Sequence, residues 1–152
     1  MSDNPQKPLC VDLDGTLVRG NTLAEAVLVK VRKEPLSLPR LVLALLQGQD
    51  RLWRELSGVE LKVDRLPYQE PVLNYVREQR QTGRKVVLVT GAGPTVAHGI
   101  AEHLGLFDEV YCTEDGRHLV GDKKRAELTR RYGAKGYDYI GDSSADLPVW
   151  KD

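Results

Sequence analysis

The chain has 152 residues, room for one compact domain with an insertion, and 41% of them are apolar, enough to build a core. Lys plus Arg and Asp plus Glu each number 22, so the basic excess that marks a nucleic-acid binder is missing and nucleic acid is not an expected partner. The opening "MSDNPQKP" lacks the apolar core of a signal peptide, and Cys10 and Cys112 lie in apolar, strand-like surroundings, so a reducing, cytoplasmic setting with free buried thiols is expected.

The first element is "LCVDLD" (9–14), a short apolar run that reads as a strand. It carries Asp12 and Asp14 two residues apart. Residues i and i+2 of a strand share a face, so the two carboxylates would repel if both belonged to it. Either a divalent cation makes that crowding useful, or the strand stops at Asp12 and the chain bends at Gly15.

No convincing strand follows between Thr16 and Lys85, only short helix signals. Thr22 with Glu25 reads as a capping box in front of Ala26, Val27 and Val31. "PRLVLALLQG" (39–48) is apolar almost all round and ends at Gly48, and Asp50 reads as the cap of a helix containing Leu52, Trp53 and Leu56. The run Leu41–Gln49 is far shorter than the ~20 residues that span a bilayer. Residues 19–68 are therefore read as a small helical cap inserted after strand 1. Trp53 and the leucines of 41–56 are assigned to its core rather than to a lipid groove.

Regular alternation resumes after the insertion. A helix opens at Pro71, runs through Val72, Leu73 and Val76, and stops at Gly83; "KVVLVTG" (85–91) follows as a strand. Pro94 opens a helix through Val96 and Ile100 that stops at Gly105, then "EVYCT" (109–113) is a strand, Lys123 to Gly133 a helix, and "YDYIGD" (137–142) a last strand. This βαβ alternation implies an α/β fold with a parallel sheet and ligands outside the carboxyl ends of its strands, where Asp12, Thr90 and Asp142 fall. The core then comprises 1–18 and 69–152.

A second carboxylate pair lies in "GDSSADLP" (141–148). If the chain turns into a helix at Ser143 or Ser144, Asp146 returns near Asp142 and four acidic groups can converge with Asp12 and Asp14. Such a cluster is costly without a cation, and its hard oxygens suit Mg²⁺. "VTGAG" (89–93) adds a hydroxyl and a glycine-rich turn whose N–H groups suit a phosphate, and Lys123 or Lys124 can supply a positive charge. His98 and His103 read as helix-surface residues and His118 as a neighbour of the Asp115-Gly116 turn, none of them a metal ligand. Tyr137 and Tyr139 are expected to pack against the sheet.

Taken in order, D-x-D-G-T at Asp12 to Thr16, a threonine ending the second strand at Thr90, a lysine near 124 and G-D-x-x-x-D at Gly141 to Asp146 resemble the haloacid-dehalogenase-like (HAD) phosphohydrolase superfamily. The likeness covers essentially the whole chain. "PLCVDLDGTLVRGNTL", "LPYQEPVLNYVREQRQTGRKVVLVTGAG", "AEHLGLFDEV" and "YDYIGDSSADLPVW" are similar to the HAD-like domains at the N-terminus of some bacterial proteins that continue into a UbiA-type polyprenyl transferase.

The resemblance implies a Rossmann-like core with strand order 4-1-2-3, a later strand missing, and one sheet edge left for something else to cover. It implies Asp12 as nucleophile and Asp14 as general acid and base. Mg²⁺ would be held by Asp12, the Asp14 main-chain carbonyl and Asp142, with Asp146 a ligand through water or an anchor behind the ligands. Thr90, the Gly91 N–H and a lysine would bind the phosphoryl oxygens, and Lys124 fits the family spacing better than Lys123. The expected activity is hydrolysis of a phosphorylated small molecule or a lipid-linked phosphate. The alternative is a non-catalytic or accessory module assisting a fused or neighbouring membrane prenyltransferase, at the cytoplasmic face of the inner membrane with the apolar face of 39–56 near the bilayer. A complete protein that covers its sheet edge by dimerising is a third arrangement the sequence allows.

Overall fold

The apolar run at the start of the chain forms β1 (Leu9–Val11), followed by a mostly helical stretch before the sheet resumes. That stretch holds α1 (Thr22–Lys33), a 3-10 turn at Pro35–Ser37, α2 (Leu38–Gln47), α3 (Gln49–Glu55), a second 3-10 turn at Val63–Arg65 and α4 (Glu70–Gln81). Strands and helices then alternate as β2 (Val86–Val89), α5 (Pro94–Leu104), β3 (Glu109–Tyr111), α6 (Asp122–Tyr132), β4 (Asp138–Ile140) and α7 (Leu147–Trp150). This computed structural model describes residues 6–114, 117–142 and 146–150.

The four strands form one parallel sheet in the order β3-β2-β1-β4, the expected order read from the opposite edge. β1 and β2 are buried along their whole length, as valine- and leucine-rich strands covered on both faces must be. The register pairs Val11 with Leu88 and with Ile140, which brings the strand ends level along one edge of the sheet. Asp12 still donates its N–H to the Ile140 carbonyl at 2.9 Å, and Thr90 to that of Tyr111 at 2.9 Å. Every strand is shorter than the apolar run that contains it. β1 stops before Asp12, so the two aspartates do not crowd one strand face, and Gly15 turns the chain at φ +76°.

Two helix starts differ from the sequence reading. Asn21, not Thr22, caps α1, its side-chain oxygen accepting the N–H groups of Leu23 and Ala24. The Thr22 N–H is already engaged by Asp14, which displaces the expected capping box by one residue. Asp50 lies in the first turn of α3 and caps nothing: the preceding residue is Gly48, at φ 123°, and no side chain caps that end.

The apolar core runs without a break from the sheet into the helices between β1 and β2. Leu9, Val11, Leu13, Leu17 and Leu88 share one buried cluster with Leu41, Ala44, Leu52, Trp53 and Leu56. The reading of Trp53 and the leucines of 41–56 as interior thus holds for Leu41, Leu52, Trp53 and Leu56 and fails for Leu43, Leu45 and Leu46, which face water. The chain before α1 and the chain before α4 run side by side: Arg19 donates to the Pro67 carbonyl at 2.8 Å and Gln69 to that of Leu17 at 2.9 Å. Among the described residues, no helix is long and apolar enough to cross a membrane.

Candidate active site

Asp12 leaves the end of β1 into a buried position, and the buried residue that answers its charge is Lys124. Lys124 sits in the first turn of α6 with only 3% of its surface exposed, while Lys123 beside it is exposed. Its Nζ lies 2.9 Å from Asp12 Oδ1, 3.3 Å from Asp146 Oδ1 and 2.9 Å from the Tyr139 hydroxyl. Tyr139 in turn donates to Asp146 Oδ1 at 2.6 Å. Burial and the carboxylates of Asp12 and Asp146 push the Tyr139 phenol far up, so it stays protonated as the donor.

One carboxylate oxygen each from Asp12, Asp142 and Asp146 lie within 4.8 Å of one another. Asp142 is tied to the cluster by the Thr16 hydroxyl, which donates to its Oδ1 at 3.3 Å, and by its own N–H, which donates to Asp146 Oδ2 at 3.3 Å. Asp12 and Asp146 are buried and share the Lys124 ammonium while Asp142 beside them is exposed, so the three carboxylates exceed what that ammonium offsets, an arrangement that favours a further cation. Burial pushes the Asp12 carboxyl up to about 6, against the pull of the Lys124 ammonium. The donors are all hard oxygens, so the residues present fit a small divalent cation. Ser143 to Ala145, where the helix start was expected, lie outside the described residues; Asp146 itself precedes α7 and is buried.

Asp14 points elsewhere. Its Oδ1 accepts the Thr22 N–H at 2.7 Å, and burial raises its pKa against that hydrogen bond. Its carboxylate is not part of the three-carboxylate group, so only its main-chain carbonyl stays eligible as a metal ligand. Across the strand ends, Thr90 is fully buried and its hydroxyl accepts the Ala92 N–H at 3.0 Å. Gly91 holds the loop close to its neighbours: a Cβ there would meet Val120 Cγ2 at 2.6 Å.

Asp12, Asp14, Gly91, Lys124 and Asp146 line a cavity of about 130 Å³, a volume that suits a phosphoryl group and a few attached atoms. Trp53 of α3 forms part of its wall together with Asn21, and also lines a neighbouring apolar cavity of about 270 Å³ bounded by Leu56, Pro94 and Val96. The sequence reading missed three contributors. Tyr139, expected only to pack on the sheet, is a polar member of the lysine network. His118 lines the cavity, and burial lowers its pKa. Trp53 is both buried and at the site. A periodic apolar pattern marks Tyr139 and Trp53 as interior without saying that the interior borders a cavity. The other two histidines stay outside, His98 exposed on α5 and His103 stacked on Tyr68.

Comparison with known proteins gives this arrangement a lineage. The family model for haloacid dehalogenase-like hydrolases matches residues 9–151. The uncharacterized protein y4nM of Sinorhizobium fredii is 34% identical over 145 residues, covering 95% of this chain but 28% of its own length. Among solved structures, a phospho-aspartyl intermediate analogue of phosphoserine phosphatase superposes with a TM-score of 0.63 at 19% identity, over 97% of this chain and 83% of that one. A predicted phosphoglycolate phosphatase from Haemophilus somnus does so with a TM-score of 0.60 at 19% identity, over 97% and 82%. The chain thus spans just over a quarter of the curated relative it matches, and shares with the two structures its fold. The match across residues 9–151 makes this chain a member of the haloacid dehalogenase-like hydrolase family.

Proposed function

We propose that the chain is a Mg²⁺-dependent phosphohydrolase that cleaves a phosphomonoester through an aspartyl-phosphate on Asp12. The observation that carries this reading is the pairing of Asp12 with Lys124 at 2.9 Å, inside a cavity that also receives Asp14 and Asp146. A nucleophilic carboxylate needs to be ionised, aimed and shielded, and Lys124 and the buried strand end serve all three needs.

In the first step Asp12 forms a bond to phosphorus as the ester P–O bond breaks, and Asp14 gives its proton to the departing alcohol oxygen. In the second, Asp14 takes a proton from water, whose oxygen attacks the same phosphorus and returns the Asp12 carboxylate with release of inorganic phosphate. Lys124, the Gly91 N–H and the Thr90 hydroxyl, whose proton is not used by Ala92, hold the phosphoryl oxygens. Mg²⁺, held by Asp12, the Asp14 carbonyl, Asp142 and Asp146, would supply charge neutralisation at those oxygens and keep Asp12 ionised. The raised pKa of Asp14 suits a group that begins the cycle protonated.

The substrate in this reading is a phosphorylated small molecule or a lipid-linked phosphate, handled in the cytoplasm. From the sequence resemblance we also propose a fused or neighbouring membrane prenyltransferase as partner, a point decided by reading the gene past codon 152. Hydrolysis of a generic aryl phosphate, with Mg²⁺ and with EDTA, tests the catalytic claim. Metal-dependent release of phosphate by the wild-type chain and none by Asp12→Asn is expected; equal activity of the two would overturn it.

A further inference from the structure

Six of the ten large apolar side chains that face water among the described residues come from one short stretch of chain. Leu36 is 94% exposed and Leu46 80%, and Leu38, Val42, Leu43 and Leu45 are about half exposed. All six come from the Pro35–Ser37 turn and α2. At 100° per residue, the five on α2 fill a single arc of roughly 160°, while Leu41 and Ala44 occupy the other side and are buried. Single exposed leucines are ordinary, but a continuous face of them marks a surface that something covers.

The charges around this face are one-sided. Residues 28–47 contain Lys30, Arg32, Lys33 and Arg40 against Glu34 alone, in a chain whose basic and acidic residues balance at 22 each. Lys30 is paired with Glu34 and Arg40 with Glu55, both at 3.0 Å. Arg32 and Lys33 are exposed and have no ion pair among the described residues. They end α1 immediately before the turn that projects Leu36. A bilayer surface accepts such a stretch: apolar side chains enter the acyl boundary and the cations reach lipid phosphates. A second copy pairing this face with its own would bring the same basic residues rather than an opposing charge, whereas anionic lipid supplies the opposing charge. The ten residues of α2 are too few to span a bilayer, so the contact is peripheral.

We propose that this stretch docks the chain on an anionic membrane surface, with Leu36, Leu38, Val42, Leu43, Leu45 and Leu46 inserted and Arg32 and Lys33 at the headgroups. Flotation of the 152-residue chain with phosphatidylcholine vesicles, and with vesicles containing phosphatidylglycerol, tests this beside a measurement of its mass in solution. Binding to the anionic vesicles, weakened by salt and weaker on neutral ones, is expected. Leu36→Ser with Leu46→Ser should lower the bound fraction roughly tenfold or more. Arg32→Ser with Lys33→Ser should lower it roughly tenfold on anionic vesicles only. Both double variants alter exposed side chains and should keep the wild-type melting temperature and aryl phosphatase activity. Absence of vesicle binding, binding that neither double variant reduces, or a dimer that the leucine variant dissociates while vesicles are ignored would each overturn the proposal.

Discussion

The carboxylate of Asp14 accepts the backbone N–H of Thr22 at 2.7 Å, and Thr22 is the first residue of α1. The proposed acid and base of the reaction is therefore held by the N-terminal turn of α1. That helix end favours negative charge and its amides need acceptors. Asn21 takes the N–H groups of Leu23 and Ala24, and Asp14 takes that of Thr22. Replacing Asn21 with Ala should lower stability by about 1 kcal/mol, the usual worth of such a cap. Because the turn that carries the Thr22 N–H is loosened, Asp14 is held less firmly and kcat should fall more than KM rises. Thermal melting and steady-state kinetics on one preparation check both parts.

Asp14→Asn separates the two chemical steps. An aryl leaving group departs without protonation, so the first step should persist while water attack, which needs the base, slows. Turnover should drop by roughly 10²–10⁴-fold, the range for loss of a general acid–base group. Acid-quenched samples should show a burst of aryl alcohol close to one per enzyme before the slow phase.

The parallel sheet and the convergence of Asp12, Asp142 and Asp146 were legible in the sequence from local signals, and the strand order from the family resemblance. Runs of five to seven residues, mostly apolar and ending in Asp, Thr or Gly, place polar groups at strand ends, and parallel pairing aligns those ends. What escaped depended on tertiary choices. Thr22 has the composition of a helix cap, but Asp14 claims its amide and the cap moves to Asn21. α2 is apolar almost all round, so no period says which face is buried; packing against α3 selects Leu41 and Ala44, which join Leu52, Trp53 and Leu56 in one cluster. Tyr139 alternates as a sheet-packing residue should, and its hydroxyl enters the site only because Lys124 arrives from α6, some fifteen residues away.

Gly15→Ala should damage the site directly. Gly15 has φ +76°, and a Cβ there would stand 2.2 Å from Asp142 Oδ2, so both the turn and the Asp142 carboxylate must shift. A loss of roughly 1–3 kcal/mol is expected from the backbone alone. Displacement of Asp142 should also raise the Mg²⁺ concentration needed for half-maximal activity, measured by titration against aryl phosphate hydrolysis.

Lys124→Met should lower kcat by roughly 10²–10³-fold, as loss of one preorganised charge on transferring oxygens does. It also leaves Asp12 and Asp146 without their shared ammonium. The variant should melt well below wild type in EDTA and recover more of the difference than wild type gains when Mg²⁺ is added, through binding linkage. Wild type itself should melt higher with Mg²⁺ than with EDTA. Melting curves indifferent to Mg²⁺ in both proteins would remove the metal from the account.

The covalent intermediate is the central claim, and mass spectrometry of the chain quenched in acid during turnover tests it most directly. The peptide containing Asp12 should carry the mass of one phosphoryl group, labile to hydroxylamine, in wild type and more abundantly in Asp14→Asn, and none in Asp12→Asn. A turning-over enzyme whose Asp12 peptide stays unmodified in Asp14→Asn, or whose phosphoryl group sits on another residue, would contradict it.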